Sequence, residues 1–206
     1  MRPALQLLLT LLLTLTFHAP VRASGQPLVD AARQQIGITL IYDGRYQRLD
    51  YPLGDVSIER GVCTDVVIRA YRQLGLDLQQ RVHQDMRAHF ADYPALWGLA
   101  RPDRNIDHRR VPNLQTWLKR HGAQLKISAD VSNYRAGDLV TWILPGNLPH
   151  IGIVSDRRSA ADTPLILHNI GAGTREDDIL FVYPVTGHYR LQLSPTEAMP
   201  SAADPP

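Results

Sequence analysis

The sequence has one cysteine, three phenylalanines, little surplus of either charge and no detectable internal repeat. A single Cys excludes an internal disulfide framework and any zinc or iron–sulfur site built from several thiolates. A formal charge of +2 over 206 residues does not call for a nucleic-acid partner. Long hydrophobic runs are also missing. The longest apolar stretch, residues 5–17, covers 13 positions, whereas a membrane-crossing helix needs about 20. What remains is a chain that is 44% hydrophobic, long enough to bury a core as one domain.

That apolar stretch has a context. Arg2 precedes it, His18-Ala19-Pro20 breaks it, and Val21-Arg22-Ala23 places small residues around a cut after Ala23. This is the layout of a secretory signal peptide. A retained anchor is the alternative, and the shortness of the run argues for removal, hence for no permanent membrane anchor. Loss of residues 1–23 removes Arg2 and Arg22 and no acid, leaving 20 basic and 20 acidic side chains. A polyanion-binding role is therefore disfavoured.

Residues 28–36 carry helical spacing that stops at Gly37, and residues 39–42 read as a short strand. Residues 43–61 read as loop. Val62, Val66, Val67, Ala70, Tyr71 and Leu74 recur at three- and four-residue intervals, predicting a helix that starts near Cys63 and ends at Gly75. Residues 80–91 are a candidate helix, and Asn113 is the expected cap of another that ends at Gly122. Six β-prone runs follow, at 125–127, 139–143, 151–154, 165–168, 180–183 and 189–193. Helices first and strands later argue for an α+β fold, an antiparallel sheet against the Cys63 helix. Residues 194–206 read as a disordered tail.

Cys63 would open its helix. There the dipole and free amide N–H groups lower a thiol pKa and can hold an oxyanion. The bland alternative is a small buried hydrophobe. A reactive thiol needs a base. His150 stands at the mouth of the 151–154 strand, and His168 ends what should be the neighbouring one. One imidazole can take the thiol proton while the other fixes its tautomer. His168 and Asn169 both qualify for the second role, because adjacent strand residues face opposite ways. Both histidines could instead be structural. A zinc site from His150, His168 and His188 is the rival chemistry, although no pair has the short spacing of a common metal motif. No metal is expected. His83 and His89 suit a polar helix face, and His121 a helix C-terminus. His108 lies in an Asp/Arg-rich loop suited either to an anionic ligand or to an ion-pair cluster.

The order Cys63, His150, His168 resembles the NlpC-type cell-wall peptidases, a branch of the papain-like cysteine peptidases. Tyr51-Pro52-Leu53-Gly54 lies ahead of the Cys, Gly137-Asp138-Leu139-Val140 matches the family's strand, and His150-Ile151-Gly152-Ile153 matches the strand after it. The chain is more closely similar to the uncharacterised bacterial domain-of-unknown-function family 1287. Residues 61–67, 82–86, 105–113, 168–173 and 186–190 carry that likeness, which covers residues 28–193. The nucleophile motif departs from the larger superfamily's Asp-Cys-Ser-Gly: here it is Val62-Cys63-Thr64-Asp65.

The resemblance implies a papain-like α+β domain over residues 24–193, with 76–112 an insertion serving as lid or groove wall. It implies an exported, periplasmic amide hydrolase with no cofactor, with Cys63 as nucleophile, His150 as base, and His168 or Asn169 as orienter. Tyr51 would lend a hydroxyl near the oxyanion or substrate. Peptidoglycan stem peptides are the expected substrate. Arg104, Arg109 and Arg110 would pair with their carboxylates, and Asp65 and His108 are further expected substrate contacts. An idle papain-like module that binds peptide or protein is the alternative, and acyl transfer a third reading. The sequence carries no signal for oligomeric state.

Overall fold

The computed structural model describes residues 25–192. The leader and tail assignments, 1–23 and 194–206, lie outside the described residues. Within them, no helix is long and apolar enough to cross a membrane.

The first helix, α1 (Gln26–Arg33), starts with Pro27 in its first turn, where a missing N–H costs nothing. It buries Leu28, Val29, Ala31 and Ala32. Two short strands, β1 (Ile41–Tyr42) and β2 (Arg60–Gly61), pair in parallel, so the loop between them closes on itself. Helix α2 (Cys63–Gln73) follows directly and stops at Gly75, whose φ of 86° suits glycine. Its apolar stripe carries Val66, Val67, Ala70 and Tyr71, each at most 2% exposed.

Helix α3 (Leu78–His89) is capped by Asp77, whose carboxylate accepts from the Gln79 N–H at 3.1 Å. Helix α4 (Val111–Arg120) begins two residues earlier than the Asn113 cap expected from the sequence. Pro112 in its first turn explains the shift. Asn113 instead sits inside the helix, buried, and donates to the Asp107 carbonyl at 3.1 Å.

The sheet is antiparallel throughout: β3 (Gln124–Leu125), β8 (Val185–Tyr189), β4 (Leu139–Leu144), β5 (Leu148–Arg158), β6 (Pro164–Asn169) and β7 (Thr174–Asp177), in that spatial order. The expected strand at 180–183 is absent. Leu180 instead fills a turn under the sheet, where its carbonyl accepts from the Trp142 indole at 3.0 Å. The last strand ends at Tyr189 rather than running from it. The fold is mixed, with helices packed on one face of an antiparallel sheet. Leu139, Ile151, Ile153 and Leu167 face α1 and α2, and Val140, Trp142, Val154 and Ile166 build a second core on the opposite face.

Candidate active site

Cys63 is the first residue of α2, 4% exposed. Its sulfur lies where the backbone N–H groups of Ile151, Thr64 and Cys63 converge. It also lines a groove of about 430 Å³ together with Tyr42, Tyr46, Trp97, Arg110 and Pro149. Trp97, Ile106 and Arg110, from the 76–112 segment, form part of that groove's wall.

The sheet register builds the second half of the site. His150 pairs with Trp142 across β4–β5, and Ile153 with Leu167 across β5–β6. Continuing that register sets Gly152 opposite His168, so His150 and His168 are diagonal neighbours on one face. Diagonal Cα atoms stand about 7–8 Å apart, within reach of ring side chains. Gly152 makes room: a Cβ there would come within 2.5 Å of Ile166 and 3.2 Å of His168. His168 in turn pairs with Arg175, and Ile166 with Asp177, so Asp177 is the next diagonal neighbour.

The result is a relay across three strands. Asp177 Oδ2 lies 3.0 Å from His168 Nε2, and His168 Nδ1 lies 3.0 Å from His150 Nε2. The carboxylate, lowered despite the cost of burial by its hydrogen bonds to Arg175 and His168, fixes every proton in the chain. His168 donates from Nε2 to Asp177, its Nδ1 then accepts from His150 Nε2–H, and His150 Nδ1 keeps a lone pair. No described residue hydrogen-bonds that nitrogen.

Burial sets the charge state. It pushes the Cys63 thiol up to about 11, with Asp65 adding to the rise and the three converging amides opposing it. Burial, helped by His168, lowers His150 to about 3, and burial lowers His168 as well. The expected low thiol pKa is thus reversed, because desolvation outweighs the helix dipole. Resting thiol and imidazole are both neutral. They do not hydrogen-bond each other: His150 stands on the sheet face shared with Trp142, whereas the sulfur meets the strand at Ile151.

Asn169 is drawn away from His150. Its amide donates to the Gly61 carbonyl at 3.1 Å and accepts from the Gly171 N–H at 3.1 Å, tying β6 to the strand that delivers Cys63. Four proposed substrate contacts also move. Arg109 and Asp65 form a buried two-pronged pair, both bonds 2.9 Å, while Asp65 accepts from Val62 N–H at 2.7 Å. This locks the start of α2 and leaves neither free for a ligand. His108 is 2% exposed and lowered to about 3 by burial, then by Arg109, so it is a neutral core residue. Tyr51 stacks edge-on against His83, with Arg104 over its ring, and does not line the Cys63 groove.

The tyrosine at the sulfur is Tyr42. It lines the groove, and its phenol is pushed up to about 12 by partial burial, then by Cys63 and Asp65. Arg110 does reach the groove, stacked 4.0 Å over Trp97 and paired with Asp107 at 3.2 Å. Arg104 lines a neighbouring cavity instead. Tyr42 and Asp177 escaped the sequence reading: Tyr42 is masked by its resemblance to an ordinary strand residue, and Asp177 lies on an unexpected strand. His188 does not join His150 and His168. It bonds Asp138 at 2.7 Å, which dissolves the three-His zinc alternative.

A family model described as a domain of unknown function, DUF1287, matches residues 29–191. The chain belongs to this family. Among proteins similar to this DUF1287 chain is the "Uncharacterized protein YijF" of Escherichia coli (strain K12), 57% identical over 163 residues, 79% of this chain and 80% of that protein. Among solved structures, NlpC1 from Trichomonas vaginalis overlaps with a TM-score of 0.43 at 13% identity, covering 85% of this chain. The chain spans less than half of that protein, 46%.

Proposed function

We propose that this DUF1287 protein is an exported, papain-like cysteine amide hydrolase acting on peptidoglycan stem peptides in the periplasm. The observation that carries the reading is a Cys63 thiol set among the amides at the start of α2 and lining a groove, with the Asp177–His168–His150 relay reaching the same end of β5 from the opposite face of the sheet. A relay with its last lone pair open is what a thiol-activating base requires.

The Cys63 thiol gives its proton to His150 Nδ1 as sulfur attacks the amide carbonyl. Because both groups rest neutral, proton transfer accompanies attack rather than preceding it. The carbonyl oxygen, now an oxyanion, is held by the amides at the start of α2 and by the Tyr42 hydroxyl, which stays protonated at neutral pH. Such a donor typically contributes about 3–4 kcal/mol. The C–N bond then breaks as imidazolium protonates the leaving amine, leaving a thioester on Cys63. Water attacks the thioester, His150 takes its proton, and the departing sulfur recovers a proton as the acid is released. Because His150 rests on the sheet face opposite Cys63, its approach needs the Leu148–His150 end of β5 to turn over, a rearrangement of the backbone and not of the ring alone.

Purified peptidoglycan incubated with the protein should release new amino termini, identified by mass spectrometry, and Cys63→Ser should release none. No release by wild type overturns the hydrolase. A second reading, a peptide-binding module without catalysis, is favoured by one observation: the thiol is buried and makes no bond to His150. Iodoacetamide separates the two. In the hydrolase, substrate peptide changes the rate of Cys63 alkylation and His150→Ala alters its pH profile. In the idle module bound peptide still shields the thiol, and His150→Ala leaves the pH profile unchanged.

A further inference from the structure

Next to the Cys63 groove lies a larger cavity of about 1000 Å³, and Tyr46 lines both. Its walls carry Arg48, Arg87, Arg101 and Arg104. All four are exposed, and none has an ion-pair partner among the described residues. Elsewhere in this molecule arginine is spent on carboxylates: Arg33, Arg69, Arg109, Arg120 and Arg190 each hold one. The lone acid in the cavity wall, Asp103, is already committed. It accepts from the Tyr46 hydroxyl at 3.0 Å and from the Asn105 amide at 2.8 Å, while Asn105 accepts from the Leu49 N–H at 3.0 Å.

That network fixes the partition between the two grooves. Arg104 sits over Tyr51, its guanidinium carbon 5.4 Å from the ring centre, exposed and with N–H groups available to an oxyanion. His83 feels the concentration of charge: burial first, then Arg87 and Arg104, lower its pKa. Charge balance over the whole chain conceals this segregation, so the composition argument against an anionic ligand does not hold locally.

We infer that this arginine cavity is a subsite for an acidic peptide, holding two or more carboxylates on one side of the amide presented to Cys63. Only the direction in which the peptide runs rests on the hydrolase reading; the carboxylate site stands on its own. Guanidinium groups at four separate points of a wide cavity suit several dispersed carboxylates better than one compact anion.

Fluorescein-labelled tetraglutamate and tetraglutamine, titrated by anisotropy into wild type and Cys63→Ser, test it. Tetraglutamate should bind about tenfold more tightly to both proteins, and less tightly as salt rises, because exposed charges are screened. Arg48→Ala with Arg101→Ala should weaken it about fivefold. The corresponding lysine pair, which keeps the charge, should retain most of the affinity. Equal binding of the two peptides, or an unchanged affinity in the folded alanine pair, overturns the proposal. Inorganic pyrophosphate is the competing arm: displacement of the label at lower concentration than unlabelled tetraglutamate assigns the cavity to phosphate and overturns the carboxylate class. Tight tetraglutamate binding by a protein that releases nothing from peptidoglycan would sink the hydrolase and keep the subsite.

Discussion

Two histidine–aspartate pairs occupy the same face of the sheet, and they differ in one respect. At one end His188 bonds Asp138 at 2.7 Å and has the Lys126 carbonyl 3.4 Å from its other nitrogen, with Tyr134 stacked 4.3 Å away. Arg190 closes the same carboxylate from the far side, at 2.6 Å. Every polar atom there is used. At the other end Asp177 and His168 hold His150 by one nitrogen and leave the second open. Residue type and burial are nearly the same: His188 is 1% exposed and His150 2%. The scaffold pair is closed on all sides, whereas the relay leaves one His150 lone pair unspent among the described residues.

The sharpest way to break this contrast is to remove each ring. His150→Ala should cut amide hydrolysis by about 10⁴-fold per folded molecule, whereas His188→Ala should lower stability and leave the rate per folded molecule intact. Equal effects on rate would erase the distinction. Next in size is Asp138→Asn, which leaves His188 and Arg190 without their carboxylate and should cost about 3 kcal/mol in a urea titration, again without a catalytic defect. Asp177→Asn probes the open end. It ceases to fix the His168 tautomer, so kcat should fall by about 10²-fold while the urea midpoint barely moves, the carboxylate being partly exposed. Asn169→Ala should cost about 1–2 kcal/mol of stability through the lost Gly61 contact. A collapse of activity at unchanged stability would hand Asn169 the orienting role proposed for His168.

A further effect is collective. His108 and His150, both near 3, and His83 and His168, also lowered, refuse protons in the folded chain. Below the ordinary value of 6.5 the unfolded chain binds more protons than the folded one, so stability falls with pH between 6.5 and about 3. Asp107, pushed up to about 6 by burial, works in the opposite sense between 6 and 3.8. The histidines outnumber it, and the melting temperature should decline through that window. A flat profile would mean that these imidazoles are not held neutral by burial.

Much of this was legible from residue pattern. Helix α2 announced itself through apolar spacing and the Gly75 stop, and β4, β5 and β6 through compact apolar runs bounded by turn residues. His150 and His168 were legible as strand-end residues for the same reason. Asn113 misled because a capping residue type was weighed without Pro112, which sets the helix start one turn earlier. Residues 180–183 misled because a β-prone composition was packing a turn against Trp142. Residues 174–177 were missed because Thr-Arg-Glu-Asp has no apolar signal: an edge strand beside an exposed sheet rim needs none. The arginines divided by burial, a property no local window contains. Arg109 and Arg110 are neighbours in sequence, yet one is locked to Asp65 and the other faces the groove.

Local pattern determined the elements, the placement of Cys63 at a helix start and the presence of two histidines on strand ends. Those follow from interactions among residues a few positions apart. Tertiary structure decided which nitrogen stays open, which carboxylate holds the relay, which tyrosine meets the sulfur and whether the thiol rests neutral. Each depends on desolvation and on contacts between strands and helices far apart in the chain, and the energy of a charge or a proton is set by whatever surrounds it.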